Sequence, residues 1–351
     1  MTLKAGIVGA AGFAGVELVR LLSNHPQFDL RVITSNSDEG QSISSLYPAL
    51  KGVCDLPLSS HDDPEVQECD VVFTATPHTV SMNMAPRLFE KGITVIDLSA
   101  DYRLKDVATY EVWYGAKHTS ANLLDIAAFG LPEITGDELQ AAHERFASGK
   151  AALVACAGCY PTATSLAAYP AIDLCEGIVV VDAISGVTGA GRSATSRTHF
   201  CSANENFEAY GVGSHRHTPE IEQILGIKDR LVFTPHLAPA SRGLLSTVTL
   251  QLTAEAQSLS VQDIHERYEK AYQGQPFVEV LPLGEMPKTS SVVGTNRAHV
   301  GIALNEKTHC LIAVGAIDNL SKGAAGQAIQ CANIVCGFDQ DLGLATTALP
   351  V

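Results

Sequence analysis

The chain opens on an unbroken apolar run, Leu3 to Val8, which has the pattern of a strand buried on both faces. It stops at Gly9-Ala-Ala-Gly12-Phe-Ala-Gly15, after which Val16 to Leu22 carries apolar residues at helical spacing. Asn24-His25-Pro26 ends that helix, and Leu30 to Ile33 is a second strand. The same alternation continues: Val71–Ala75 reads as a strand, Thr76-Pro77-His78 leads into a helix through about Glu90, and Gly92–Asp97 is again a strand. Strands alternating with helices predict a parallel sheet covered by helices. Past Lys150 the texture changes. After a short apolar strand at Ala152–Cys156, Ala157-Gly158 breaks the run and Tyr160-Pro161 opens a helix, because proline is tolerated in a first turn. Strands at Gly177–Ala183, Leu231–Thr234, Leu244–Leu252, Val300–Leu304 and Cys310–Ala316 follow. The last two read as a hairpin around Asn305-Glu306-Lys307, with a helix at Val261–Tyr272. That is the pattern of a mostly antiparallel sheet with helices on one face.

These patterns predict two domains. Strand, glycine turn, helix and strand within about 30 residues is the context of a Rossmann-type dinucleotide-binding fold. The expected class is α/β, with residues 1–150 forming that domain. Residues 151–319 form an α+β domain on a mostly antiparallel mixed sheet, and a C-terminal helical segment, 320–351, returns to the first domain.

Composition narrows the partners. A formal charge of −15 argues against nucleic acid, whose phosphates call for a basic face. No apolar run approaches the ~20 residues of a membrane helix, and no leader-like segment is visible at the start. Nine cysteines without regular spacing suit a reducing, cytoplasmic setting better than a disulfide framework.

Three stretches carry candidate chemistry. The first is the glycine turn. Gly9, Ala11, Gly12, Phe13, Ala14 and Gly15 would let a pyrophosphate approach the backbone at a helix N-terminus. Ser35 and Ser37, at the tip of the second strand, leave room for a 2′-phosphate and favour NADP over NAD, although Asp38 lies close by. Thr76, Pro77, His78 and the stretch Ser99–Arg103 follow strand ends, where an open parallel sheet binds ligands.

The second is Cys159, placed just before a helix N-terminus, where backbone N–H groups favour thiolate. A buried structural cysteine is the plain alternative. Cys156-Ala-Gly-Cys159 could also be a redox or metal pair, but no second C-x-x-C accompanies it. The third stretch is Ser185–Gly243, where six Lys or Arg face five acids and are joined by four histidines. Arg192, Arg197, Arg216 and Arg242 could form a pocket for carboxylate or phosphate. A histidine of His215-Arg216-His217 could move a proton for Cys159; a metal site is not expected, for want of a third ligand at a familiar spacing.

The motifs together resemble the N-acetyl-γ-glutamyl-phosphate reductase family, related to aspartate-semialdehyde dehydrogenase. The matching stretches are Gly6–Leu18, Asp97–Leu104, Phe129–Glu133, Gly158–Ala163, His215–Ile221, Phe233–Leu237 and Asp318–Gln327, in the family's order along nearly the whole chain. The resemblance implies NADPH-dependent reduction of N-acetyl-γ-glutamyl phosphate to the 5-semialdehyde through a cysteine thioester, in arginine biosynthesis. It implies Cys159 as nucleophile and His217 as acid/base, with His215 the less favoured histidine. It adds Ser99, Gly189 and Asn319 to the cofactor residues, and Arg103, Ser185, Arg192, His215 and Arg216 to the substrate residues. A homodimer or homotetramer is expected. Ala157 stands where the family usually has proline, and Thr188 where it commonly has serine. The same chemistry on an aspartyl or carrier-bound aminoadipyl phosphate is the nearest alternative. A nucleotide-binding regulator without catalysis is another.

Overall fold

A computed structural model describes residues 2–350. The chain divides into two units, one of residues 1–157 with 324–344, the other of residues 158–323 with 345–351. The sequence reading set its boundaries at 150 and 319 and sent the whole C-terminal segment to the first unit; the last residues group with the second instead.

The first unit contains β1 (Leu3–Val8), α1 (Phe13–Leu22), β2 (Phe28–Thr34), α2 (Ile43–Leu46), β3 (Leu58–Ser59), β4 (Val71–Thr74), α3 (Ser81–Glu90), β5 (Thr94–Asp97), α4 (Val107–Tyr114), β6 (Ala128–Gly130), α5 (Pro132–Ala147) and β7 (Leu153–Cys156). Its seven strands lie in the order β3-β2-β1-β4-β5-β7-β6, and every pairing is parallel. Strand residues alternate between two apolar clusters. Ile7, Phe73, Ile96 and Val154 join Leu18 and Leu22 of α1 and Leu139 of α5. Val8, Val72, Val95 and Leu153 join Met82 and Leu88 of α3 and Tyr110 of α4. Burial on both faces is why these strands read as continuous apolar runs. Strand order reverses between β1 and β4, so the tips of these two strands form the switch point of the sheet.

The second unit begins with α6 (Cys159–Ala168) and β8 (Cys175–Gly186), followed by α7 (Phe200–Ala203), β9 (Glu208–Ala209) and α8 (Thr218–Leu225). It continues with β10 (Leu231–Ala238), β11 (Leu244–Leu252), α9 (Val261–Ala271), β12 (Val278–Val280), β13 (Ala298–Asn305) and β14 (Cys310–Ile317). The sheet order is β12-β13-β14-β11-β8-β10-β9, with only the β12–β13 and β8–β10 pairs parallel. Helix α6 is buried along its length because it lies on this sheet. A side chain at Gly315 of β14 would come within 2.5 Å of the Ala163 carbonyl oxygen, so glycine there sets how closely helix and strand approach. The carbonyls of Leu166 and Ala167, in the last turn of α6, accept from the hydroxyls of Tyr272, the C-cap of α9, and of Tyr268 within α9, at 2.6 and 2.7 Å.

After β14, residues Ser321–Ala325 form a π-helical turn, and α10 (Gly326–Cys336) returns to the first unit, where it packs on α5. The C-terminal helical segment expected from the sequence thus begins with a π turn that its residues do not announce.

Candidate functional site

At the switch point of the first unit, the β1–α1 turn is built around glycines. Gly9 has φ +90, and a side chain there would meet the Ala75 carbonyl oxygen at 2.6 Å and Thr76 Cγ2 at 3.3 Å. A side chain at Gly15 would clash with the Gly9 carbonyl. The Gly9 and Ala10 N–H groups donate to the Thr34 carbonyl at 3.1 and 2.9 Å, and the Tyr47 hydroxyl donates to the Ala11 carbonyl at 2.8 Å. The turn is therefore held from the tips of β2 and β4. Gly12 is the N-cap of α1 and brings no side chain over the first-turn N–H groups. Phe13, Ala14 and Gly15 form that first turn.

Beside it, Thr76, Pro77 and His78 follow β4. The Thr76 hydroxyl is buried with no hydrogen-bond partner among the described residues. A glycine cradle closed to any side chain, a helix N-terminus and an orphaned hydroxyl beside them fit the pyrophosphate of a dinucleotide. At the tip of β2 the Ser35 and Ser37 hydroxyls both donate to Asp38 Oδ2, at 3.0 and 2.7 Å. Asp38 is buried, so a carboxylate does stand at this tip, four residues beyond the strand end at which the sequence shows none. Ser99 lies beneath β5, donating to Asp97 Oδ2 at 2.8 Å. Arg103 is buried, and its Nε and Nη2 donate to the carbonyls of Cys156 and Leu98, both at 2.7 Å. It therefore ties the tips of β5 and β7 together.

In the second unit Cys159 is the first residue of α6, capped by Gly158, and Pro161 falls two residues later. The helix thus starts earlier than the proline suggested, since any first-turn N–H can be dispensed with. Cys159 is partly exposed, whereas Cys156 is fully buried; burial, with the Cys331 thiol beside it, pushes Cys156 far up the scale. Gly323 in the π turn backs Cys159 directly, because a side chain there would stand 2.7 Å from Cys159 Cβ. Glu220 of α8, also buried, accepts from the Gly158 N–H at 2.8 Å. The helix with the thiol is thereby joined to the helix that His217 caps.

Both histidines stand near Tyr160, His215 at 5.5 Å and His217 at 6.0 Å between ring centroids. The His215 ring sits within 5.5 Å of the rings of Tyr160, Tyr210, Phe233 and His217, measured between centroids. Its Nδ1 accepts from the His217 backbone N–H at 3.2 Å. Burial, reinforced by the Arg216 charge, pushes His215 down to about 4, so the ring is neutral at ordinary pH. The Tyr160 hydroxyl donates to the His236 carbonyl at 2.9 Å and accepts from Tyr210 at 3.2 Å. Burial first, then Tyr210 and the nearby Cys159, push Tyr160 upward. Tyr210 rises to about 12 through burial, with Cys159 adding to the rise.

Ser185 is buried at the end of β8, and Gly189 lies over it, a Cβ there being 3.0 Å from Ser185 Oγ. Asn319 joins them: its Oδ1 accepts from the Gly243 N–H at 2.8 Å and its Nδ2 donates to Thr188 Oγ1 at 2.9 Å. The arginines separate into two pairs. Arg197 bonds Glu208 at 3.0 Å and lies over Tyr210, and Arg242 bonds the buried Asp318 at 2.9 Å. Arg192 and Arg216 are exposed. Tyr210, Glu220 and Gly323 were not singled out in the sequence as parts of this cluster; only the proximity of Glu220 to the histidines hinted at it.

Among the described residues no group of three or more His, Cys, Asp or Glu is arranged to hold a metal, and no helix is long and apolar enough to cross a membrane.

Comparison with known proteins agrees with this division. Residues 4–142 match the semialdehyde dehydrogenase NAD binding domain, and residues 159–319 the semialdehyde dehydrogenase dimerisation domain. N-acetyl-γ-glutamyl-phosphate reductases of Cellvibrio japonicus and Pelotomaculum thermopropionicum are 43% and 44% identical to it, with 99% of each chain covered. In structure, aspartate semialdehyde dehydrogenase from Candida albicans, solved with NADP, superposes with a TM-score of 0.72 at 18% identity, covering 95% of this chain and 98% of that one. Aspartate semialdehyde dehydrogenase II from Vibrio cholerae gives 0.71 at 15%, with the same coverage. At such identities the structural likeness speaks for the fold, and the near-full-length sequence identity speaks for the family. The chain belongs to the N-acetyl-γ-glutamyl-phosphate reductase family.

Proposed function

We propose that this protein reduces N-acetyl-γ-glutamyl phosphate to N-acetylglutamate 5-semialdehyde and phosphate with NADPH, through a thioester on Cys159. The observation that carries the reading is the placement of Cys159 as the first residue of α6, partly exposed and backed by Gly323, on a helix that the Gly158–Glu220 bond joins to the helix capped by His217. The helix dipole favours thiolate there. The thiolate attacks the acyl carbon and phosphate leaves, which gives the thioester. NADPH, when bound, would supply the hydride for its reduction. His217 protonates the oxyanion of the resulting thiohemiacetal before the C–S bond breaks, and takes that proton back in the reverse direction. His215 is assigned no proton transfer, because its cage holds it neutral; it braces His217 through its Nδ1. First-turn N–H groups of α6 beyond Gly158 face the developing oxyanion.

The β1–α1 turn from Gly9 to Gly15 would hold the pyrophosphate. Thr76–His78 and Ser99 would flank the nucleotide, and Ser35 with Ser37 would meet the ribose end. Gly189 and Asn319 are cofactor residues by the family likeness alone. Arg192 and Arg216, with Ser185, are the groups for substrate carboxylate or phosphate. The setting is a reducing cytoplasm, in keeping with nine cysteines that are all free thiols.

The assembly is a homodimer or a tetramer of such dimers, formed on the second unit's sheet. Along β8 the residues opposite the buried Val179, Val181 and Ala183 are Ile178, Val180, Asp182 and Ile184, and these are exposed. Val232 of β10 extends the same apolar surface, which no helix of the unit covers. An apolar sheet face of this extent suits a second copy.

The test follows NADPH formation at alkaline pH from NADP and phosphate, with N-acetylglutamate semialdehyde and aspartate semialdehyde in parallel. Turnover of the acetylated aldehyde alone is expected. Preference for aspartate semialdehyde would move the assignment to the neighbouring substrate.

A further inference from the structure

We infer that Asp101 is the positioning residue of the cofactor loop. Its buried carboxylate holds Thr79 in a left-handed conformation and so fixes Thr76–His78 beside the glycine cradle. The inference rests on the nucleotide-binding reading of that cradle.

A fully buried carboxylate needs donors, and Asp101 has three. Its Oδ1 accepts from the Thr79 N–H and the Tyr110 hydroxyl, each at 2.7 Å, and its Oδ2 accepts from the Met82 N–H at 2.9 Å. Two of these donors belong to the entry of α3, whose own N-cap, Val80, supplies no capping side chain. The missing cap comes instead from the loop after β5, with a full negative charge set against the positive end of the helix.

Thr79 has φ +75. Three other non-glycine residues among those described have positive φ, Glu205, Asp229 and His309, and none of them is β-branched. A β-branched residue resists this conformation most strongly, so something must hold it there. The charge-assisted bond from its N–H to Asp101 does so, and Asn83 Nδ2 secures its carbonyl at 2.7 Å.

The start of the loop is fixed too, because Ala75 and Thr76 pack against Gly9 so closely that no side chain fits between them. Held at both ends, the loop leaves the Thr76 hydroxyl buried with no partner among the described residues. Asp101 is itself immobilised. Its N–H donates to Ser99 Oγ at 3.1 Å, and its carbonyl accepts from His118 Nε2 at 2.7 Å. Asp101 touches neither nucleotide nor substrate; it acts through Thr79.

The test measures NADPH affinity by fluorescence titration of the full-length protein. Asp101→Asn keeps one acceptor but turns an amide toward backbone donors, and is expected to weaken NADPH binding about tenfold. The rate of iodoacetamide alkylation at Cys159 in cofactor-free protein should not change. Glycine adopts φ +75 without strain, so Asp101→Asn combined with Thr79→Gly is expected to recover affinity to within about threefold of Thr79→Gly alone. The double variant is measured even where Asp101→Asn alone does not fold. Wild-type affinity in Asp101→Asn, or a double variant still about tenfold weaker than Thr79→Gly, would overturn the inference. Gly9→Ala separates the underlying reading, because it disrupts the cradle without touching Asp101. If NADPH binds Gly9→Ala normally, the cradle is misassigned and the failure lies there.

Discussion

His215 and His217 stand two residues apart, and under the proposed chemistry they do different work. Four rings enclose His215, and burial holds it at about 4. A histidine whose folded pKa lies below its unfolded value of about 6.5 stabilises the fold fully above that value, and the contribution is lost as pH falls towards 4. The loss amounts to about 3 kcal/mol over that window. In urea unfolding, His215→Phe should therefore show a shallower fall in stability between pH 6.5 and 4 than the wild type. Its kcat should drop only modestly, through the lost brace on His217. His217→Asn should instead lower kcat by roughly 10²-fold or more, while keeping the wild-type fall in stability that His215 causes. If the two phenotypes exchange, His215 is the acid/base. Sequence brought both histidines to notice but could not rank them, because the ranking lies in Tyr160, Tyr210 and Phe233, up to 73 positions apart in the chain (160 to 233).

At the level of elements, α6 is seated by two glycines that it does not contain. Gly315 lets β14 approach its middle, and Gly323 lets the π turn approach its first residue. Gly323→Ala places a methyl 2.7 Å from Cys159 Cβ. Overpacking of this kind costs about 1–3 kcal/mol, and here it displaces the reacting thiol. We expect kcat to fall more than tenfold, with slower alkylation of Cys159 by iodoacetamide; an unchanged alkylation rate would contradict the seating.

Strands with a clear period were legible. The strand read at Leu244–Leu252 is found at those residues, with burial that alternates along it, and the Asn305–Lys307 hairpin joins β13 to β14. Elements defined by partners were not. Strand β9 is two residues long and exists only as a pairing on β10. Helix α8 is missing from the elements expected above, although Pro219 near its start and Gly226 in a left-handed cap are its signals. Strand β8 extends beyond Gly177–Ala183 to Cys175–Gly186 because β10 and β11 on its two flanks carry the pairing onward.

For the molecule as a whole, the sheet of the second unit has a consequence for assembly. An exposed row of Ile178, Val180, Ile184 and Val232 has little reason to face water. Val180→Asp combined with Ile184→Asp should shift the protein towards monomer in sedimentation velocity, while Cys159 keeps its place on the opposite side of β8 and β11. Unaltered association would move the interface elsewhere. Both the two-domain plan and the place of the thiol could be read from the chain. The carboxylate at Asp38 and the clamp at Arg103 could not, since each depends on which backbone groups surround a side chain after folding.

The central claim is a covalent acyl group on Cys159, and a burst experiment reaches it most directly. Protein mixed with NADP and N-acetylglutamate semialdehyde, with no phosphate present, oxidises the thiohemiacetal but has nothing to release the acyl group. The account predicts about one NADPH per chain formed rapidly, an N-acetylglutamyl adduct on the peptide containing Cys159, and neither in Cys159→Ser. Adding phosphate should then restore continuous turnover. A phosphate-free reaction with no burst, or an adduct on any other residue, would contradict the account.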